Sequence, residues 1–391
     1  MKVLVIYKGG FPSGLAMTKR LQLYVKGLKE VGNDIKIIIP HASDKAGMIR
    51  NKEIKGEFEN IQYEYLSKTT ERSNTFFLRR LNDLVGYLKL LKYLFLEYST
   101  FDIVFLVDVR NTWRIPIYLL CKIRKIKVVY ELNEHPLVFS SDFKYWFEKK
   151  IIFKMFDGYI VISENLKHLV EGFKKNKCKI LKVPILTNSV NIDDNNFCPN
   201  KLSRDYIIHA GGLSDSKEGI IDLIKALHFV NNNSPIKIDL FFTGNLNDSP
   251  DEIKIKSTIE ILSLQNNIKF LGYLSDFEVL DYQKNALLAL INKPNNLQNN
   301  FCFPTKLGEY MVLAKPVIVS KVGEYMNYLK NNYNAIVLEE NTPECLGESI
   351  IKVLMDKEYY KQIGINGKVT ADVNFNYMVQ AKSINTFFNS L

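Results

Sequence analysis

The stretch Asn299–Glu324, NNFCFPTKLGEYMVLAKPVIVSKVGE, has the clearest local reading in the chain. It divides into a loop, a helix beginning near Pro304 and a short strand at Val317–Ser320. Proline suits a helix start because its missing N–H would go unpaired there anyway. The strand is apolar on successive residues, which suits burial on both faces. Working outward, the same kind of run recurs at Tyr206–His209, Ile236–Thr243, Ile268–Leu271, Leu287–Ile291, Pro316–Ser320 and Ala335–Leu338. It recurs again in the first half, at Lys2–Ile6, Ile35–Ile39, Ile103–Val107, Val128–Tyr130 and Tyr159–Ile162. Amphipathic stretches of helix length lie between most of these runs, so the pattern predicts parallel sheets of α/β type. It pauses at Pro184–Ser203, PILTNSVNIDDNNFCPNKLS, whose Asn, Asp and Pro content reads as a linker. Two α/β units joined near residue 190 follow.

Length agrees with that division, since 391 residues exceed one ordinary domain and each half can bury its own core. The net charge of +10 is unevenly spread. Residues 1–200 carry 33 Lys and Arg against 21 Asp and Glu, and residues 201–391 carry 19 against 21. A uniform nucleic-acid-binding coat is disfavoured, and an anionic partner for the first half stays open. No RNA-binding aromatic pattern occurs either, so no nucleic-acid partner is expected. Cys121, Cys178, Cys198, Cys302 and Cys345 are odd in number and widely spaced, so neither a disulfide framework nor a zinc site is expected. The opening MKVLVIYKGG reads as a first strand rather than a leader, and no long apolar window spans a membrane. The expected location is cytoplasmic.

Two turns after a first strand stand out. Strand Lys2–Ile6 leads into KGGFPSGLAMTKRL, with Gly9, Gly10 and Gly14. Strand Tyr206–His209 leads into AGGLSDSKEGIIDLIKAL, with Gly211 and Gly212 in the turn and Lys217 near the helix start. Glycines let backbone pass close to a ligand, and a helix N-terminus favours an anion. Neither turn matches a dinucleotide or P-loop fingerprint, and each is also readable as a plain tight turn. In the opening stretch, Glu309 falls in the second helical turn, where a carboxylate can accept two hydroxyls of a ribose. The amides of Thr305, Lys306 and Leu307 and the Lys306 ammonium would hold a phosphate. The competing reading makes Glu309 and Lys306 solvated surface charges.

The glycine-rich first turn, KEGI after the linker, FLGYLS and PTKLGEYMVLAKPVIVS, in that order over nearly the whole chain, resemble a retaining glycosyltransferase of family 4. The resemblance implies an α/β GT-B fold, two Rossmann-like domains facing across a cleft: an acceptor domain over residues 1–185 and a donor domain over 186–374. A C-terminal helix of about 375–391 would pack back on the first. It implies that Glu309 binds the donor ribose as the second acid of a Glu-x7-Glu motif, that Lys217 touches the diphosphate, and that Gly272–Leu274, Tyr273 included, lies near the base. Two positions depart from the pattern. Phe301 stands where the motif has its first acid, and Gly212 where many members have an arginine.

The implied function is transfer of a sugar from a nucleotide sugar, a UDP-sugar in the first instance, to a glycan or polyprenyl-linked acceptor in surface polysaccharide synthesis. Breaking the sugar–nucleotide bond puts negative charge on the leaving diphosphate. The amides of Gly9–Gly10 and Gly211–Leu213, with Lys217, are placed to stabilise it. No Asp-x-Asp occurs, Asp193-Asp194 lying in the linker, so neither metal nor cofactor is expected. On the acceptor side, ELNEHP follows strand Val128–Tyr130, making Glu134 and His135 candidates for proton handling, with Asn133 and Gly14 as acceptor contacts. Loop capping is the competing role for Glu134 and His135. His41, His168, His209 and His228 read as packed or solvated. Arg79–Tyr98 combines four Lys/Arg with a long apolar face, fitting a helix on a sheet or one on an anionic membrane surface. A GT-B sugar-nucleotide epimerase and a non-catalytic GT-B partner subunit are the alternatives.

Overall fold

The computed structural model describes residues 1–97, 100–109, 112–138, 141–189 and 205–391. The chain divides into two units: Met1–Leu186 with Tyr377–Leu391, and Thr187–Asn376. Asp193, Asp194, Cys198, Pro199 and most of the linker reading lie outside the described residues.

In chain order the first unit contains β1 (Lys2–Tyr7), α1 (Ala16–Glu30), β2 (Asp34–Ile39), β3 (Lys55–Phe58), β4 (Ile61–Tyr65), α2 (Phe76–Glu97) and β5 (Ile103–Val107). It continues through α3 (Arg114–Ile123), β6 (Lys127–Leu132), α4 (Asp142–Lys150), β7 (Gly158–Val161), α5 (Glu164–Glu171) and β8 (Lys179–Lys182). The strands form one sheet ordered β3-β4-β2-β1-β5-β6-β7-β8, parallel except for the β3–β4 hairpin. Every residue of β5, and of β1 after Lys2, is buried, which explains the unbroken apolar runs.

The hairpin escaped the sequence reading. Its two-residue turn, Glu59-Asn60, has positive φ at both positions (47° and 62°) without the glycine that announces such a turn. The edge strand β8, KILK, was hidden among lysines for a related reason: it is only half-buried, so it lacks an apolar run. Helix α2 also differs from an ordinary sheet-covering helix. Of its 22 residues only Gly86, Tyr87, Leu90 and Leu94 are buried. Phe76 and Phe77 are 63% and 72% exposed, and Leu78, Leu81, Leu84, Val85, Leu88, Phe95 and Leu96 are exposed as well. The helix is held at Gly86, where a Cβ would lie 2.0 Å from the Pro40 carbonyl oxygen.

The second unit holds β9 (Tyr206–His209), α6 (Asp215–Glu218), α7 (Ile220–Asn233), β10 (Asp239–Phe242), α8 (Glu252–Ile261), β11 (Ile268–Phe270) and α9 (Asp276–Asn285). There follow β12 (Leu288–Ile291), α10 (Leu297–Phe301), α11 (Thr305–Val312), β13 (Val317–Val319), β14 (Ile336–Val337), α12 (Pro343–Met355) and α13 (Lys357–Asn374). All six strands are parallel, in the order β11-β10-β9-β12-β13-β14. Local sequence sets several helix starts. Ser275 and Glu278 form a capping box on α9, and Thr342 caps α12 ahead of Pro343. The chain then returns to the first unit as α14 (Tyr377–Asn389), which buries Ala381 against Gly27 of α1 and Phe388 against Phe105 of β5.

Both sheets reverse their strand order beside the first strand, between β1 and β5 in one unit and between β9 and β12 in the other. In open α/β sheets ligands bind beyond the carboxyl ends of the strands at this reversal. The Gly9–Gly10 and Gly211–Gly212 turns follow β1 and β9, so each lies at such a point.

Candidate functional site

In the second unit the reversal gathers four titratable side chains from four segments. His209 ends β9, Glu218 ends α6, Lys293 follows β12 by two residues, and Lys306 lies in the first turn of α11. Lys293 Nζ donates to Glu218 Oε1 at 2.6 Å and Lys306 Nζ to Glu218 Oε2 at 2.7 Å. His209 Nδ1 lies 3.2 Å from the Leu290 carbonyl oxygen, which can only accept, so Nδ1 carries the proton. Nε2 therefore accepts from Lys306 Nζ at 3.3 Å. Burial, with Lys306 adding to it, lowers the His209 pKa to about 3 and keeps the ring neutral. For Glu218, burial alone would favour the neutral acid. The two ammonium groups outweigh it and hold the carboxyl well below the usual range. Lys306 is brought down to about 8, chiefly by burial and further by Lys293, against the pull of Glu218.

The Lys306 ammonium sits directly under the glycine turn, 3.2 Å from where a Cβ on Gly211 would be. Gly211 has φ +115°, a region side-chain-bearing residues rarely adopt, so glycine both makes the turn and leaves the ammonium uncovered. Tyr310 locks the two pieces together: its buried hydroxyl accepts from the Ala210 N–H at 2.7 Å. The Gly211 N–H donates to Thr243 Oγ1 at 3.2 Å, while the amides of Gly212 and Leu213 have no acceptor among the described residues. Open space surrounds Gly212.

Lys217 lies near a helix start, as expected, in the four-residue α6, which a left-handed Gly219 separates from α7. The α7 N-terminus is already served by the Asp215 carboxylate, which accepts from the Ile221 N–H at 2.9 Å. Lys217 is half-buried, while at the turn Lys293 is buried and the Lys306 side chain is 12% exposed. His209 ends its strand and is packed, as expected, and it joins this cluster as well. Leu307 has a fully buried side chain, and its N–H donates to the Pro304 carbonyl, so it offers a ligand nothing. The amides left over at the start of α11 are those of Thr305 and Lys306.

Glu309 is half-buried one turn further along α11, with Gln283 Nε2 donating to its Oε2 at 3.2 Å. Its partner Gln283 is 1% exposed, on α9, and so orients the carboxylate. Tyr273 follows Gly272 (φ +71°), is 61% exposed, and donates from its hydroxyl to Asp248 Oδ2 at 2.5 Å. Phe301, at the end of α10, is half-buried. Sequence reading missed Glu218, Lys293 and Gln283. The one local signal was a lysine two residues past the buried strand LALI.

In the first unit, the glycine turn after β1 is filled by the protein itself. A Cβ on Gly9 would meet Tyr7 Oη at 2.2 Å, and one on Gly14 would meet Thr18 Oγ1 at 2.0 Å. Thr18 Oγ1 donates to the Gly10 carbonyl, and the Phe11 N–H donates to Tyr65 Oη at 2.8 Å. Gly14 is therefore packed by its own helix, which crowds the acceptor contact expected of it.

Asn133, Glu134 and His135 follow β6, as expected. Asn133 Nδ2 lies 3.6 Å from Met17 Sδ, and its buried Oδ1 has no hydrogen-bond partner among the described residues. His135 is 4% exposed, with Nδ1 accepting from the Leu137 N–H at 3.2 Å and Nε2 3.4 Å from Tyr145 Oη. Burial and Lys149 push its pKa down, so the ring is neutral. Its geometry thus includes the loop-capping role. Behind it, Glu131 of β6 pairs with Arg20 of α1 at 2.9 Å, and both are buried. Among the described residues no three His, Cys, Asp or Glu side chains gather as metal ligands, and no helix is long and apolar enough to cross a membrane.

Residues 193–370 match the family model described as glycosyl transferases group 1. The chain is similar to an uncharacterised glycosyltransferase of Methanocaldococcus jannaschii, 24% identical over 214 residues, which are 54% of each chain. It thus spans about half the length of that relative. Among solved structures it resembles HepE of Anabaena in complex with UDP and glucose, with a TM-score of 0.74 and 17% identity over the whole of both chains. It also resembles the sucrose-phosphate synthase of Thermosynechococcus elongatus, with a TM-score of 0.73 and 14% identity over 100% of this chain and 98% of that one. The fold is GT-B, with two Rossmann-like α/β domains.

Proposed function

We propose that this chain is a retaining, metal-independent glycosyltransferase that uses a nucleoside diphosphate sugar. The observation carrying this reading is the Lys306 ammonium beneath Gly211, held by Glu218 and His209 beside the strand-order reversal. An ammonium has three N–H donors, and two are engaged by Glu218 and His209, which leaves one for a ligand oxygen at the turn. A diphosphate there receives that bond and the amides of Gly212 and Leu213. Glu309, one helical turn on, accepts the ribose hydroxyls, and Tyr273 lies toward the base. As the sugar bond breaks, charge grows on the diphosphate. Lys306 and Lys293 stabilise it from a desolvated position, where such interactions are strongest. Uridine is the proposed base, in keeping with the UDP in the HepE complex.

Glu134 and His135 are the proposed acceptor-side pair, with Asn133 beside them. The acceptor is proposed to be a glycan on a polyprenyl carrier, met at the anionic cytoplasmic membrane face during surface polysaccharide synthesis. Supporting this are the exposed Phe76, Phe77 and Leu78 beside Arg79 and Arg80 on α2, and Phe143 and Trp146 (74% and 50% exposed) among the lysines of α4. Release of nucleoside diphosphate from a panel of nucleotide sugars, with lipid-linked oligosaccharide as acceptor and a chelator present, tests the activity. NMR of the product anomer tests retention. No release from any donor, or turnover abolished by the chelator, contradicts the corresponding part of the proposal.

Phe301 favours one second reading, a non-catalytic partner subunit that keeps the fold. Binding of neither uridine nor guanosine diphosphate would select it.

A further inference from the structure

The first unit contains a cavity of about 560 Å³. It lies at the carboxyl edge of the first sheet: Lys8 follows β1, His41 follows β2 by two residues, and Trp113 lies beyond β5. The remaining lining comes from Arg72 and from Arg79, Arg80, Asp83, Leu84 and Tyr87 of α2. Four cations therefore face one carboxylate. Among the described residues Asp83 makes one ion pair, with Arg80 at 3.8 Å. Lys8, Arg72 and Arg79 have no carboxylate within ion-pair distance among the described residues. Arg72 anchors itself through Nε to the Ala42 carbonyl at 3.0 Å, and no other atom of its guanidinium is hydrogen-bonded among the described residues.

Aromatic rings form the other wall. Tyr87 stacks on Trp113 with centroids 4.8 Å apart, and the His41 ring lies 5.7 Å from Tyr87. His41 is 3% exposed, and its buried Nδ1 has no hydrogen-bond partner among the described residues. A buried polar atom left without a partner is costly. Burial first, then the nearby Arg72 and Lys8 working against Asp83, lower the His41 pKa to about 4, so the ring is neutral when the cavity is empty. Beyond the cations the same helix presents Phe76, Phe77, Leu81 and Leu84 to solvent, which continues the cavity into an apolar strip.

We propose that this cavity binds the phosphate or diphosphate group of an apolar ester, with Lys8, Arg72, Arg79 and Arg80 holding the oxygens and the α2 strip receiving the hydrocarbon. Guanidinium groups suit phosphate because their N–H forks match two oxygens at once. The surplus of positive charge matches a di- or trianion, and the strip distinguishes an ester with a hydrocarbon tail from a free anion. On the glycosyltransferase reading, this group is the carrier end of the acceptor. The anion site itself does not depend on that reading.

Trp113 supplies a local probe. The protein has two tryptophans, and Trp146→Phe leaves Trp113 as the only one. In that background, with saturating UDP to fill the second unit, Trp113 emission is titrated with farnesyl diphosphate, pyrophosphate, inorganic phosphate and farnesol. A saturable change with farnesyl diphosphate is expected, at least tenfold tighter than with pyrophosphate or phosphate, and none with farnesol. Arg79→Gln with Arg80→Gln weakens farnesyl diphosphate binding at least tenfold, and added salt weakens it further. Arg80 is exposed and Arg79 half-buried, and unchanged circular dichroism checks that the variant folds. No response to any anion, or an unchanged affinity in the double variant, overturns the site. Farnesyl diphosphate binding no tighter than pyrophosphate overturns the assignment to an apolar ester. UDP binding, followed separately by calorimetry, fails or holds independently of all these outcomes.

Discussion

If the Lys306 ammonium is what receives the donor diphosphate, nucleotide affinity depends on pH in a defined way. In the ligand-free protein its pKa is lowered to about 8, mainly by burial. A bound diphosphate places negative charge against it and raises the pKa again. The binding-competent ammonium is therefore nearly complete at pH 7 and about one-tenth populated at pH 9. Affinity is full below pH 8 and falls as pH rises through it, until the pKa of the complex is reached. The dissociation constant for UDP then rises about tenfold between pH 7 and pH 9, a change of about 1.4 kcal/mol. The nucleotide does not supply this trend, since its terminal phosphate completes its second ionisation near pH 6 and gains charge rather than losing it. Calorimetric titrations at pH 7, 8 and 9 measure the dependence. Lys306→Arg keeps a charge that does not titrate, so it flattens the profile, and Lys306→Met flattens it at weaker affinity throughout. A flat profile in the unaltered protein, or an unchanged one in Lys306→Met, refutes the reasoning.

Glu218→Gln leaves Lys293 and Lys306 buried without their shared carboxylate. Removing one partner of a buried ion pair costs about 3–5 kcal/mol, so chemical denaturation of this variant should show a loss of that size. Glu309→Ala removes the ribose acceptor but not the diphosphate contacts. Affinity for UDP should fall by about tenfold or more while affinity for pyrophosphate at the same site holds. Flotation with anionic vesicles should carry the protein upward, and Phe76→Ser with Phe77→Ser should reduce the floated fraction. Equal absence of binding to anionic and neutral vesicles contradicts the membrane proposal. Glu134→Gln and His135→Ala should each lower turnover, and near-normal rates in both remove them from the acceptor side.

What was legible in the sequence was what local chemistry encodes. Pro304 and the apolar run VIV marked a helix and a buried strand, and so placed Glu309 and Lys306 on adjacent turns. The central parallel strands were legible because burial on both faces leaves an unbroken apolar run. The hairpin at Glu59-Asn60 and the edge strand KILK lacked that mark. The core of the candidate site was not legible, because its members meet only through strand order. Lys293 and Glu218 are 75 residues apart and come together because β12 lies beside β9. The first unit's cavity joins Lys8, His41, Arg79 and Trp113 for the same reason. An excess of positive charge was visible there, but its concentration around one cavity was not. Within KEGI nothing local showed that the left-handed Gly219 ends α6 and leaves Glu218 buried.

The most direct test of the donor site is a crystal soaked with UDP. The account predicts density for the diphosphate within hydrogen-bonding distance of Lys306 Nζ and the amides of Gly212 and Leu213, with the ribose hydroxyls on Glu309. Nucleotide bound with its diphosphate away from Lys306, or no nucleotide in the second unit at concentrations that saturate binding in solution, would contradict it.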